Sequence, residues 1–148
     1  MRFNAERYSG RWYQVGKYPF YYEPEACAKS YTDYKYNAQS GTLSVHNFCT
    51  GPDYLDEVEG LLWNRQEDED TGKFQVQFFR FDSSPSDYII LDTDYTSYSL
   101  VGNSEGTLFW ILSRTPKIEK RLLNRVLGLA QYYGYNIDLL EFSSDSLQ

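Results

Sequence analysis

The sequence predicts an all-β fold: an eight-stranded antiparallel up-and-down β-barrel, with one C-terminal α-helix packed outside it and a short final strand. Three observations predict it. Strand-favouring residues dominate the first two thirds of the chain, which holds most of the fifteen Tyr and nine Phe. Eight strand-like runs succeed one another, separated by turns too short for crossover helices, so neighbouring strands are antiparallel. After Pro116 the apolar period changes from two residues to three and four.

The 148 residues suit a single domain, 1–148, large enough to bury a core. No sequence repeat or linker divides it. The charged fraction of 24% is ordinary for a folded chain. A net charge of -7 argues against nucleic acid, whose phosphates need a basic surface, and gives no reason to expect anionic membranes as partners. No apolar run has the length of a transmembrane segment or a signal h-region, so any leader is expected to be absent from this sequence.

The first strand lies in "SGRWYQVGKYP", residues 9–19, where neither alternating face is clearly apolar. The next runs are "AKSYTDYKYN" (28–37), "GTLSVHNFC" (41–49), "DEVEGLLWN" (56–64) and "KFQVQFF" (73–79). "DYIILDTD" (87–94), "SYSLVG" (97–102) and "TLFWILSR" (107–114) complete the eight. Eight closely spaced strands fit a sandwich or a barrel. The single helix after them favours the closed barrel. In that helix Ile118, Leu122, Val126, Leu129 and Tyr133 form one apolar stripe. Pro116 stands near its start, Gly134 is placed to cap its end, and Lys117, Lys120, Arg121 and Arg125 form a solvated side. "NIDLLEF" (136–142) reads as the final strand.

Three motifs resemble the signatures of the lipocalin family, in that family's order and near its spacing. "SGRWY" resembles the G-x-W motif at Gly10 and Trp12. "LDTDYTSYSLVG" resembles the second conserved region, with Thr93, Asp94 and Tyr95 as T-D-Y. "WILSRTP" resembles the third, with Arg114 as its arginine. The resemblance spans nearly the whole chain and is nearest to the apolipoprotein D-like, bacterial and plant lipocalins. It implies a barrel floor built by Trp12 with Arg114 across its indole, beside Gly10, in a structural rather than catalytic role.

With Trp12 inward, alternation carries Gln14, Gly16 and Tyr18 inward too. The same register sends Ser30, Thr32, Tyr34, Leu43, Val45 and Asn47 inward, then Val58, Gly60 and Leu62. Phe74, Val76, Phe78, Tyr88 and Ile90 follow, then Ser99, Val101, Leu108, Trp110 and Leu112. The candidate ligand-binding residues are drawn from this set: Tyr18, Thr32, Tyr34, Val45, Asn47, Val58, Phe74, Val76, Phe78, Tyr88, Ile90, Ser99, Val101, Leu108 and Trp110. None is charged. The wall therefore suits an elongated or planar apolar molecule with at most a weakly charged head near the open end. A self-filled barrel is the alternative.

In an antiparallel meander, Cys27 enters the second strand and Cys49 leaves the third at the same, open end. The two are expected to pair; two buried thiols are the alternative. A bridge would place the protein in an oxidising compartment, secreted or periplasmic. The sole histidine, His46, should face outward beside Val45 and Asn47. No zinc-type cluster, EF-hand loop or phosphate loop is present, and "EDEDTG" reads as a solvated turn, so neither a metal nor a cofactor is expected.

Three functions follow. The first is carriage or sequestration of a small hydrophobic ligand such as a lipid, retinoid, steroid or bilin, as the resemblance implies. The second is a protein partner bound through open-end loops, where "YPFYYEP" supplies aromatic anchors. The third is a cysteine-dependent isomerase of the kind that the resemblance also includes, using Cys27 or Cys49.

Overall fold

The computed structural model describes residues 2–19, 29–79 and 84–143. The period-two alternation folds as eight strands: β1 (Gly10–Lys17), β2 (Lys29–Asn37), β3 (Thr42–Gly51), β4 (Tyr54–Trp63), β5 (Lys73–Phe78), β6 (Ser86–Thr93), β7 (Tyr98–Gly102) and β8 (Phe109–Ser113). Each pairs antiparallel with the next, and β1 pairs with both β2 and β8. The sheet is therefore closed and has no free edge among these eight strands.

Two packed layers lie on opposite sides of the barrel wall. Inside, Trp12, Tyr34, Leu43, Val45, Leu62, Phe74, Val76, Ile90, Val101 and Leu112 share one cluster with Phe3 and Tyr8. Outside, Val15, Tyr98, Leu100, Phe109 and Ile111 pack with Ile118, Val126 and Ala130 of the C-terminal segment. These clusters are the two faces of alternating strands: Tyr98, Leu100 and Phe109, Ile111 point out where Ser99, Val101 and Leu112 point in.

The helix α2 covers Lys120–Tyr132. It starts four residues after Pro116, with Glu119 at its N-cap in an extended conformation. Its solvated basic side is as expected: Lys117, Lys120, Arg121 and Arg125 are exposed. The apolar stripe departs from expectation at its end, where Tyr133 is 39% exposed and Ala130 is buried in its place. Gly134 terminates the helix with a φ of +92°, a left-handed conformation that glycine adopts freely.

Two further elements correct the expected boundaries. A short helix, α1 (Ala5–Tyr8), precedes the barrel, with the Asn4 side chain accepting from the Arg7 amide at 3.0 Å. Only Glu141–Phe142 form the final strand, β9; Ile137–Leu139 make a 3-10 turn instead. Asn136 explains the turn, because its side chain accepts from the Asp138 amide at 3.0 Å and competes with an extended ladder.

The first strand changes partners midway. β1 pairs with β2 from Gly10 to Gln14, and with β9 at Gly16 and Lys17. Its ladder with β8 shifts register between Gln14 and Gly16. This bulge answers the mixed pattern of the opening strand. Past it the faces exchange, so Gly16 and Tyr18 lie outside, against the expectation of simple alternation. A Cβ on Gly16 would stand 3.1 Å from the Phe142 ring, so glycine is what lets β9 lie on β1.

Candidate functional site: the barrel interior

The closed end is built around Trp12, which has no exposed surface. Its indole nitrogen donates to the Tyr8 carbonyl at 2.9 Å. Arg114 lies across the ring, its guanidinium carbon 3.9 Å from a ring centre. The same guanidinium donates to Tyr95, Arg11, Arg7, Tyr8 and Ser9 carbonyls at 2.9–3.3 Å. One side chain thus ties the N-terminal segment, β1 and the β6–β7 turn together. Gly10 (φ +109°) makes room, since a Cβ there would meet an Arg114 nitrogen at 3.0 Å.

The T-D-Y turn supports this floor. The Thr93 hydroxyl donates to the Tyr98 carbonyl at 2.6 Å, and the Tyr95 amide donates back to it at 3.0 Å. The Asp94 carboxylate accepts from the Thr96, Ser97 and Tyr98 amides and from the Ser97 hydroxyl. Burial pushes the Asp94 pKa up, but these hydrogen bonds outweigh it and hold the group below its usual value.

Above the floor, α1 and the barrel strands pack aromatic rings together. Tyr8 stacks on Trp12 at 5.1 Å and meets Tyr34 edge-on at 5.2 Å. The Tyr8 hydroxyl bonds the buried Ser99 hydroxyl at 2.7 Å. Phe3, which the strand pattern does not reach, fills the gap between Tyr8 and Phe74. The lower part of the barrel is therefore a packed core.

A cross-bar ends that core. The Tyr34 hydroxyl, from β2, bonds the Tyr88 hydroxyl, from β6. In an eight-stranded ring, β2 and β6 stand opposite each other, so the two phenols join facing walls. Burial pushes Tyr88 up to about 12, while the bond from Tyr34 works the other way; Tyr34 is also raised, again by burial first. Both remain neutral phenols at physiological pH.

Towards the open end the wall is less tightly covered. Strand pairing aligns Trp12, Thr32, Asn47 and Val58 in one inward row, and Gly10, Tyr34, Val45, Gly60 and Phe78 in another. Along the second row, Tyr34 and Val45 are buried, whereas Phe78 is half-buried. Asn47, Val58, Tyr88 and Trp110 are half-buried as well. Tyr88 stacks over Trp110 at 6.3 Å. Thr32 donates to the Asn47 side-chain oxygen at 2.6 Å, which leaves the Asn47 amide hydrogens directed elsewhere.

The inward set predicted from the sequence is thus largely gathered on one surface. Thr32, Tyr34, Val45, Asn47, Val58, Phe74, Val76, Phe78, Tyr88, Ile90, Ser99, Val101 and Trp110 share the interior face by cluster membership or strand register. Tyr18 does not. It packs outside against Phe109 and Tyr135, and its hydroxyl accepts from the Asn136 amide at 2.8 Å. Leu108 precedes β8 rather than lying in it, with its amide held by the Asn103 side chain at 3.0 Å. The register also adds one charge. Asp56 pairs with Cys49, which pairs with Ser30, and all three follow the inward row at the mouth. Period-two alternation extended from Val58 toward the strand's start is the signal that places it there.

Cys27 and the tip of "YPFYYEP", from Phe20 onward, lie outside the described residues. His46 faces outward as expected, stacked on Phe48 at 4.1 Å, with Glu57 and Glu59 at 3.0 and 3.6 Å from its two nitrogens. Among the described residues, no group of His, Cys, Asp and Glu is arranged to hold a metal, and no helix is long and apolar enough to cross a membrane.

A closed eight-stranded barrel, plugged at one end by a tryptophan–arginine pair, flanked by one helix and lined above the plug by side chains that are uncharged up to Asp56 at the mouth, defines the lipocalin class. The profile of the lipocalin-like domain family matches residues 3–145, and the chain belongs to that family. It is 29% identical over 150 residues to temperature-induced lipocalin-1 of Arabidopsis thaliana, covering 97% of this chain and 80% of that one. It is 36% identical over 124 residues to apolipoprotein D of Rattus norvegicus, covering 77% of this chain and 62% of that protein. In fold it is similar to insecticyanin of the tobacco hornworm Manduca sexta, with a TM-score of 0.78, 20% identity, and coverage of 98% of this chain and 82% of that one.

Proposed function

We propose that the protein carries or sequesters a small, largely apolar molecule in the barrel, above the Tyr34–Tyr88 cross-bar. One observation carries the reading. Tyr88 is half-buried rather than sealed on the inward face, stacked on the half-buried Trp110 at 6.3 Å, so the wall above the cross-bar is less tightly filled than the core below it. Asn47, Val58, Phe78 and Trp110 are half-buried on the same face. An apolar wall with a few polar groups is the usual design of a small-molecule site. The protein acts by binding rather than catalysis in this reading, and the ligand is a lipid, retinoid, steroid, bilin or similar compound.

Among the described residues the interior carries no charge below Asp56 at the rim, so a charged group buried among Val45, Phe74 and Val76 would be unpaired. The ligand's polar end therefore stays near Asn47, Tyr88 or the mouth. A Cys27–Cys49 bridge across the open end and a secreted or periplasmic site belong to the same proposal. In its support, the described residues include no free cysteine. Thiol titration of the denatured, unreduced protein should then find none; two reactive thiols would remove the bridge.

The deciding experiment is a titration with retinoids, fatty acids, steroids and bilins, followed by tryptophan emission. Trp110 stands in the wall, so a bound polyene or bilin should quench it, and Trp110→Phe should remove part of the signal. If none binds below about 10 μM, roughly -7 kcal/mol, the carrier reading is wrong.

A further inference from the structure

The helix α2 packs Val126 and Ala130 into the outer cluster, so its opposite side faces solvent. Along that side Arg121, Arg125, Gly128 and Tyr132 follow at steps of four, three and four residues, which sets them in one row. All four are exposed.

The barrel gives Gly128 no reason to be glycine. It lies inside the helix without a left-handed φ, and a Cβ there would meet nothing within 4 Å. Neither packing nor conformation asks for glycine, and glycine is a poor helix former. Tyr132 raises a second question, because its ring is 83% exposed and yet held in place. Tyr133 meets it edge-on at 5.4 Å, and the Tyr133 hydroxyl donates to the Asp92 carboxylate at 3.3 Å. A ring fixed in the open suits an interface anchor, since it has little side-chain entropy left to lose on binding.

The charge of the row completes the pattern. In a chain of net charge -7, α2 carries Lys120, Arg121 and Arg125 and no carboxylate. Arg121 makes no ion pair among the described residues. We propose that this face of α2 is the contact surface for a second copy of the chain, packed antiparallel about a two-fold axis midway between Arg125 and Gly128. That axis sets Arg121 against the partner's Tyr132, a cation over an aromatic face. It also sets Arg125 against the partner's Gly128, where no side chain competes for its space. Symmetry makes each contact twice. The cationic halves of the two helices stay apart, and their dipoles oppose. A parallel pair would bring Arg121 against Arg121. An acidic partner would account for the cations but not for the glycine or the fixed ring. A helix of 13 residues offers a small contact, so the dimer is weak and exchanges quickly.

Sedimentation equilibrium of the full chain from about 10 μM to about 1 mM covers the range of such an interface. The average mass of wild type should rise from one copy toward two. Tyr132→Arg should hold the protein monomeric, because arginine then faces arginine. Arg121→Tyr combined with Tyr132→Arg exchanges the two partners and should restore the dimer. Gly128→Gln should abolish association while raising the thermal unfolding midpoint, because a better helix former stands where nothing obstructs it. Circular dichroism establishes that each variant is folded. A Gly128→Gln protein that dimerises as tightly as wild type would overturn the geometry. So would a folded double variant that stays monomeric, or a wild type that remains one copy at the highest concentration. Phosphatidylserine vesicles test the other occupant. A monomeric wild type that co-sediments with them, and no longer does so as Arg121→Glu, would assign the face to an anionic surface and overturn the dimer.

Discussion

Arg114 and Trp12 form one unit: the guanidinium covers the indole at 3.9 Å while its nitrogens reach five carbonyl oxygens of the closed end. Neither residue has a substitute for the other's role. Trp12→Ala should destabilise by about 3–5 kcal/mol, the range for deleting a buried aromatic. Arg114→Lys keeps the charge but not the planar fork, and should cost about 2–4 kcal/mol. Urea denaturation checks both. Midpoints equal to wild type would refute the floor assignment.

Gly10 faces a double constraint, from its φ of +109° and from the Arg114 nitrogen that would stand 3.0 Å from a Cβ. Gly10→Ala should therefore destabilise by about 1–3 kcal/mol. The loss should shrink in an Arg114→Ala background, because the steric part disappears. A double-mutant cycle with no coupling would show that backbone strain acts alone.

Tyr18 belongs to the outer wall. Tyr18→Phe removes the bond to the Asn136 amide and should cost about 1 kcal/mol. Ligand affinity should not change. A Tyr18→Phe protein of normal stability but weakened ligand binding would place the side chain inside after all.

Asp94 sets an acid limit. Its folded pKa is below the unfolded value, so its contribution is fully present above about pH 4 and is lost as pH falls through the folded value. Asp94→Asn should be less stable than wild type by a constant amount from about pH 7 to pH 5. The gap should then narrow on further acidification. Unfolding midpoints at several pH values test this; a gap that widens with acid would reverse the assignment.

The fold was legible because alternation is a local signal and each strand carries it independently. The closed end was legible only through the family resemblance of the motifs that hold Gly10, Trp12 and Arg114. Tyr18 and Gly16 depart from simple alternation because of the bulge between Gln14 and Gly16, whose local signals are the strand's mixed pattern and a glycine inside it. A register shift in β6, between Ile90 and Asp92, did less harm, since Ile90 precedes it. The helix Ala5–Tyr8 is too short to show a period, although Asn4 is a capping signal that offered a clue. The cross-bar was beyond reach: Tyr34 and Tyr88 are 54 positions apart, and only the closed ring brings their hydroxyls together.

The floor unites residues from opposite ends of the chain, and protein synthesis must bridge that gap in time. Trp12 is made 102 residues before Arg114, as 114 minus 12 gives. At the usual rate of about 5–20 residues per second, the indole waits roughly 5–20 s for its cation. During that interval the nascent chain has β1 without β8 and no closed barrel to bury the ring. The closed end can therefore form only after more than two thirds of the chain has been made.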